Sequence, residues 1–241
     1  MKTIILIPSR LASTRLPNKP LKNIAGLPMI VRVMECAKKA NMGEVCVATP
    51  DKEIDIVVKE AGGNSILTQY NHESGTDRVM ESLNIIDPDR KFEKIINLQG
   101  DIPLMPPDYI KIAAGLLSDE KVDIGTLITP LDKDRIQNFN KVKVAIGLKK
   151  NNLTGKAIYF SRAPVPANKG DYYEHIGIYA YKRNVLERFC RNSQTVLEKR
   201  EKLEQLRALE LGMNIHVSIV DKSPIGVDTY EDLETVRKKF L

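Results

Sequence analysis

The stretch Ile7-Pro8-Ser9-Arg10-Leu11-Ala12-Ser13-Thr14-Arg15-Leu16-Pro17-Asn18-Lys19-Pro20-Leu21 holds the densest potential for chemistry in the chain. Cations stand at positions 10, 15 and 19, with Lys22 just beyond and serine and threonine hydroxyls between them. Arginine offers forked donors to phosphate oxygens and lysine a compact charge, so the spacing suits a polyphosphate. A solvent-exposed basic loop fits the same residues. Two aspartates sit in glycine-containing turns far apart in the chain: Asp101 in Gln99-Gly100-Asp101, and Asp228 in Gly226-Val227-Asp228-Thr229. Brought together, such a pair suits Mg2+, which takes one or two protein carboxylates and fills its other positions with water and phosphate. Each aspartate fits the cap of a following helix equally well, and Thr229 offers an alternative cap beside Asp228.

The elements that must position these residues read as alternating strands and helices. Residues 3–8 form a short buried strand, and 9–20, which hold Pro17 and Pro20 and show no periodicity, form a loop. Pro28 fits the first turn of a helix whose inner face is Ile30, Val31, Val33, Met34 and Ala37. A strand at 44–49 leads to a helix capped by Asp51 and ended by Gly62-Gly63. A strand at 64–68 leads to a helix over about 75–86, capped by Ser74 and ended by Asp87-Pro88. A fourth strand at 94–98 runs into the Asp101 turn. This alternation predicts an α/β fold: a mostly parallel, Rossmann-like sheet with helices on both faces. Ligands bind such sheets outside the carboxyl ends of the strands, where the cationic loop begins.

After residue 120 the pattern turns to strands, at 122–129, 141–148, 155–160 and 174–181, with helices returning at 182–190 and 196–212. A strand follows at 214–220 and a closing helix from about 230. The expected organisation is one domain over residues 1–241 with a smaller β-rich extension at about 122–181. Residues 163–170 are the best candidate for a mobile loop.

Composition narrows the class. The chain has 241 residues, 42% hydrophobic and 28% charged, which argues against disorder, and a chain of this length buries a core without staples. No apolar run approaches the ~18–20 residues of a membrane span, and the apolar start stops at Pro8, too soon for a signal-peptide core. Three widely spaced cysteines, Cys36, Cys46 and Cys190, give neither a zinc site nor a disulfide framework and fit a reducing cytoplasm, with Cys36 and Cys46 as packing residues. The net charge of +6 fits a Lys-rich surface or a polyanionic partner. Aromatic residues at 5% and the absence of tryptophan leave poor platforms for nucleic-acid stacking, so no nucleic-acid partner is expected, and the lack of a long apolar run leaves no membrane partner expected. Neither a P-loop nor a G-x-G-x-x-G fingerprint occurs, and His72, His175 and His216 are scattered.

The cationic run is similar to the nucleotide-binding signature of sugar nucleotidyltransferases. In detail it resembles the cytidylyltransferases that activate 3-deoxy-manno-octulosonate (KDO). Six further segments match in order: His72-Glu73-Ser74-Gly75-Thr76-Asp77-Arg78-Val79, Asn97-Leu98-Gln99-Gly100-Asp101, Tyr159-Phe160-Ser161-Arg162, His175-Ile176-Gly177-Ile178-Tyr179, Leu203-Glu204-Gln205-Leu206-Arg207 and Gly226-Val227-Asp228-Thr229. With the first run they span almost the whole chain.

The resemblance implies transfer of a cytidylyl group from CTP to the anomeric hydroxyl of KDO, with release of pyrophosphate, in lipopolysaccharide synthesis. It implies a cytoplasmic homodimer, with the β-rich extension contributing to the sugar pocket and the dimer contact. Arg10, Arg15, Lys19, Asp101 and Asp228 would be catalytic, the two aspartates holding Mg2+. Pro8, Ser9, Arg10, Arg15, Lys19, Ser74, Gly75 and Thr76 would bind CTP. Arg78, Gln99, Arg162, His175, Tyr179, Glu204 and Gln205 would hold the sugar acid, an arginine gripping its carboxylate and the neutral groups its hydroxyls. An 8-amino or sialic-type acid would ask for the same chemistry, and a non-catalytic nucleotide-binding or nucleic-acid-binding module is the reading from another class. Relatives usually continue Gly-Asp-Glu-Pro where this chain has Ile102.

Overall fold

The computed structural model describes residues 2–148 and 153–240. In chain order the elements are β1 (Lys2–Pro8), β2 (Asn23–Ile24), β3 (Leu27–Pro28), α1 (Met29–Lys39), β4 (Glu44–Thr49), α2 (Lys52–Glu60), β5 (Asn64–Leu67), α3 (Gly75–Ile86), β6 (Phe92–Leu98) and α4 (Pro107–Gly115). They continue with β7 (Ile124–Pro130), β8 (Lys143–Leu148), β9 (Thr154–Ser161), β10 (Tyr173–Lys182), α5 (Arg183–Cys190), α6 (Val196–Glu201), α7 (Gln205–Glu210), β11 (Ile215–Ile219) and α8 (Tyr230–Arg237). The chain divides into two compact units, Met1–Lys111 with Pro224–Leu241, and Ile112–Ser223. The second takes in the expected β-rich stretch together with α5, α6, α7 and β11.

In the first unit the strands run in the order β5-β4-β1-β6, all parallel. β1 is apolar at every position from Ile4 to Pro8 because both of its faces are covered. On α1, Ile30, Val31, Val33, Met34 and Ala37 are buried, the face that their spacing predicted. Ser74 caps α3 by accepting from the Asp77 amide at 3.1 Å.

Asp51 departs from expectation. It precedes α2, but its side chain makes no cap hydrogen bond. Its carboxylate accepts from the Leu11 amide at 2.7 Å and the Tyr70 hydroxyl at 2.5 Å, tying the cationic loop to the segment before α3.

In the second unit the order is β10-β7-β11-β9-β8. Only β11 and β7 are parallel; β10–β7, β11–β9 and β8–β9 are antiparallel. The single helix expected over 196–212 is two short ones. Lys202, at φ 55°, breaks them in the left-handed region, which few side chains adopt.

Candidate active site

Two apolar anchors bring the charged groups together. Leu16 and Val227, the neighbours of Arg15 and Asp228, are fully buried in one cluster with Ile24, Met29, Leu233 and Val236. Burying each is worth about 1.5–3 kcal/mol, enough to pin the cationic loop against the segment that leads into α8. The Val227 amide donates to the Asp101 carbonyl at 2.9 Å, which sets the two aspartate turns side by side. The result is a charge cluster: Lys19 Nζ donates to Asp101 Oδ2 at 2.9 Å and to Asp228 Oδ1 at 3.1 Å, and Arg15 Nη2 lies 3.0 Å from Asp228 Oδ1. Burial alone would lower the Lys19 pKa, but the two carboxylates outweigh it and raise it above the ordinary lysine value.

The capping alternative for Asp228 fails on geometry. Thr229 caps α8, accepting from the Asp232 amide at 3.2 Å, and Asp232 returns the bond to the Thr229 amide at 2.9 Å. That leaves the Asp228 carboxylate to the cations.

These groups line a cavity of about 340 Å³ in the first unit. Of the expected nucleotide and catalytic residues, Pro8, Ser9, Arg10, Arg15, Lys19, Ser74, Gly75, Asp101 and Asp228 all face it. Thr76 does not: it is buried, and its Oγ1 accepts from Asn97 Nδ2 at 3.1 Å. Gly100 is required by packing, because a Cβ there would sit 2.9 Å from the Pro8 carbonyl oxygen. Ser9 Oγ is buried and has no hydrogen-bond partner among the described residues, a donor left for a ligand.

Among the expected sugar residues, Arg78 and Gln99 also line this cavity. Arg78 donates to Thr68 Oγ1 at 2.5 Å and to the Gln69 carbonyl at 2.9 Å. Its pKa is lowered, first by burial and then by Arg10 nearby. Ile102 is 7% exposed and brings no acidic group to the turn.

The other five sugar residues belong to the second unit. Arg162 spends its guanidinium on main-chain carbonyls, those of Glu201 at 3.0 Å, Phe139 at 3.1 Å and Lys202 at 3.4 Å. The buried Lys143 also caps three carbonyls, of Asn138, Lys141 and Arg162. His175 lies between Phe160 and Tyr179, with ring centroids 5.1 and 5.3 Å away. Burial holds its pKa down to about 3, so it is neutral. The Tyr179 hydroxyl is pushed well above its usual pKa by burial and then by Glu204, while Gln205 is buried at the start of α7.

Two contributors have no role at this site assigned from the sequence, although His72 opens one of the matching segments. His72 lines the cavity with its Nε2 against the Glu81 carboxylate, which also accepts from the Gln69 amide at 2.9 Å. Asp51 orients the cationic loop through Leu11. Both depend on partners that local sequence does not reveal.

A sequence profile of the cytidylyltransferase family matches residues 4–215. The 3-deoxy-manno-octulosonate cytidylyltransferase of Rhodopseudomonas palustris (strain BisA53) is 50% identical over 98% of this chain and 96% of that protein. The chain belongs to the 3-deoxy-manno-octulosonate cytidylyltransferase family. The protein of that name from Paramagnetospirillum magneticum is 47% identical over 97% of this chain and 96% of its own. The solved structure of CMP:2-keto-3-deoxy-manno-octonic acid synthetase complexed with CTP superimposes with a TM-score of 0.90 at 37% identity, covering 100% of this chain and 98% of that one. A cytidylyltransferase from Leptospira borgpetersenii, 17% identical with a TM-score of 0.64, shares the fold. The chain is therefore a nucleotidyltransferase enzyme, and the mostly parallel α/β sheet is that of its family.

Proposed function

We propose that this enzyme transfers the cytidylyl group of CTP to the anomeric hydroxyl of 3-deoxy-manno-octulosonate, giving CMP-KDO and pyrophosphate. The observation that carries the reading is the convergence of Arg15, Lys19, Asp101 and Asp228 in one cavity. The anomeric oxygen attacks the α-phosphorus; the new P–O bond forms as the bond to pyrophosphate breaks, and the hydroxyl proton passes to solvent. Both reactants are anions. Arg10, Arg15 and Lys19 offset their repulsion and neutralise charge on the departing pyrophosphate. Holding the two reactants in line supplies much of the remaining acceleration.

The donor set fits Mg2+. Two partly exposed carboxylates already converge on one cation, the Lys19 ammonium, and water and phosphate oxygens would complete the shell. Asp101 and Asp228 would hold the ion, which when bound supplies charge neutralisation and a lowered pKa for a hydroxyl near it. On this reading Lys19 turns from the carboxylates to phosphate as nucleotide arrives.

Arg78, Gln99, Arg162, His175, Tyr179, Glu204 and Gln205 are proposed to serve the sugar acid. Cytoplasmic lipopolysaccharide synthesis follows from the product, and three free cysteines agree with a reducing compartment. No described helix is long and apolar enough to cross a membrane. A homodimer is supported by the exposed apolar side chains of Leu148 at the end of β8, Leu153 just before β9 and Ile158 on β9.

The test is pyrophosphate release with CTP, Mg2+ and a panel of KDO, its 8-amino analogue and sialic acid, each component omitted in turn. Turnover that requires CTP, KDO and Mg2+ together is expected. Turnover with sialic acid or UTP but not with KDO and CTP would overturn the reading.

A further inference from the structure

Thr126 lies on β7, fully buried, at a point where the pairing with β10 skips. Ile176 faces Leu127 and the next pair is Tyr179 with Thr126, so Gly177 and Ile178 bulge out of the ladder. Thr126 Oγ1 lies 2.6 Å from the Ile178 carbonyl oxygen and 3.3 Å from that of Ile176. Two oxygens 2.6 Å apart need a proton between them, and a carbonyl brings none. The threonine hydroxyl therefore donates, and it has a single proton to give. His175 Nε2 lies 2.9 Å from the same Oγ1. With its proton already committed, that oxygen can only accept, so Nε2 must carry a hydrogen and donate. The imidazole is neutral, so Nδ1 is a bare lone pair. It makes no hydrogen bond among the described residues. Phe160 and Tyr179 hold the ring in place, at interplanar angles of 73° and 49°.

We propose that Thr126 is a positioning residue that fixes His175 in its Nε2–H tautomer, so that Nδ1 accepts a hydrogen bond from one hydroxyl of the sugar acid. The proposal rests on the reading of His175 as a sugar contact. A lone pair repels a carboxylate, so His175 reads a hydroxyl and leaves the acid group to cations. The bulge and the tautomer are one device: the hydroxyl that satisfies the displaced Ile178 carbonyl also sets which face of the imidazole can accept.

The experiment combines nitrogen-15 spectra of the resting enzyme with steady-state kinetics. The chain has three histidines, and H175N assigns the resonances of interest. T126V removes the hydroxyl and keeps the shape; T126S restores it. Wild type and T126S should show a protonated Nε2 and an unprotonated Nδ1 at His175. T126V should show mixed tautomers and a KM for the sugar acid raised about three- to tenfold, with kcat and the KM for CTP within about twofold. H175N, which keeps a polar atom near the Nδ1 position, should retain more sugar affinity than H175F; this pair decides the matter even if T126V does not fold. A protonated Nδ1 in the resting wild type overturns the proposal, as does an unchanged sugar KM in H175F. Wild type that shows the expected tautomer but does not turn over CTP with KDO overturns the functional reading instead.

Discussion

Lys19→Met tests the charge cluster directly, because it removes the ammonium and keeps the length of the side chain. Asp101 and Asp228 then lose the cation that stands 2.9 and 3.1 Å from them, while Arg15 stays 3.0 Å from Asp228 and offsets part of the repulsion. Their oxygens lie no farther apart than those two distances together, about 6 Å. Two like charges at about that separation repel by ~3 kcal/mol at an effective dielectric of 20 and by under ~1 kcal/mol in water. The side chains are 34% and 45% exposed, which moves the figure toward the lower end, to about 1–2 kcal/mol. A divalent cation relieves that repulsion and no longer competes with the lysine. Mn2+ binding to K19M without nucleotide, read by electron paramagnetic resonance, should therefore tighten about five- to thirtyfold relative to wild type. CTP binding, read by calorimetry, should weaken about ten- to a hundredfold for want of a charged donor to phosphate. The opposite signs are the signature. Unchanged or weaker Mn2+ binding in K19M would refute the idea that lysine and metal contend for one pair of carboxylates.

Other outcomes follow from the same structure. Leu16→Ala leaves a void in the cluster shared with Val227 and should cost about 2–5 kcal/mol by urea denaturation, with a raised KM for CTP as Arg15 loses its hold beside Asp228. Gly100→Ala forces a Cβ to 2.9 Å from the Pro8 carbonyl oxygen, so the Asp101 turn must shift; activity should fall far more than the denaturation midpoint. His175, with a folded pKa of about 3 against about 6.5 unfolded, binds its proton only in the unfolded chain between those values. Stability therefore falls as pH drops below about 6.5, by up to ~2 kcal/mol at pH 5 from this group, and H175N should remove that part of the acid slope.

Much of this was readable in the residues, for physical reasons. The apolar run Ile4–Ile7 and the capped, periodic helices announce a buried parallel sheet, whereas the basic side chains after the first strand fit an anion site and an exposed loop alike until the family resemblance is added. The pairing of Asp101 with Asp228 was legible only through the family resemblance, because the forces that join them act over long sequence separations: the burial of Leu16 against Val227, and one amide reaching the Asp101 carbonyl. Helix α4, with Pro107 at its first position, is not among the elements expected from the sequence. The break at Lys202 has no local signal, since a left-handed lysine is held there by its surroundings. Asp51 looked like a cap because it precedes a helix; its real partners, Leu11 and Tyr70, are 40 and 19 residues away. Likewise the Ile178 carbonyl displaced by the bulge of β10 finds its donor on Thr126, a residue of a different strand.

The most direct measurement is pyrophosphate release from CTP and KDO by wild type, Asp101→Asn and Asp228→Asn, side by side at saturating Mg2+. KDO-dependent turnover by the wild type is expected, with a fall in kcat of about a hundredfold or more in each variant and the folded state retained. Near-normal turnover by either variant would contradict a working centre built on those two carboxylates.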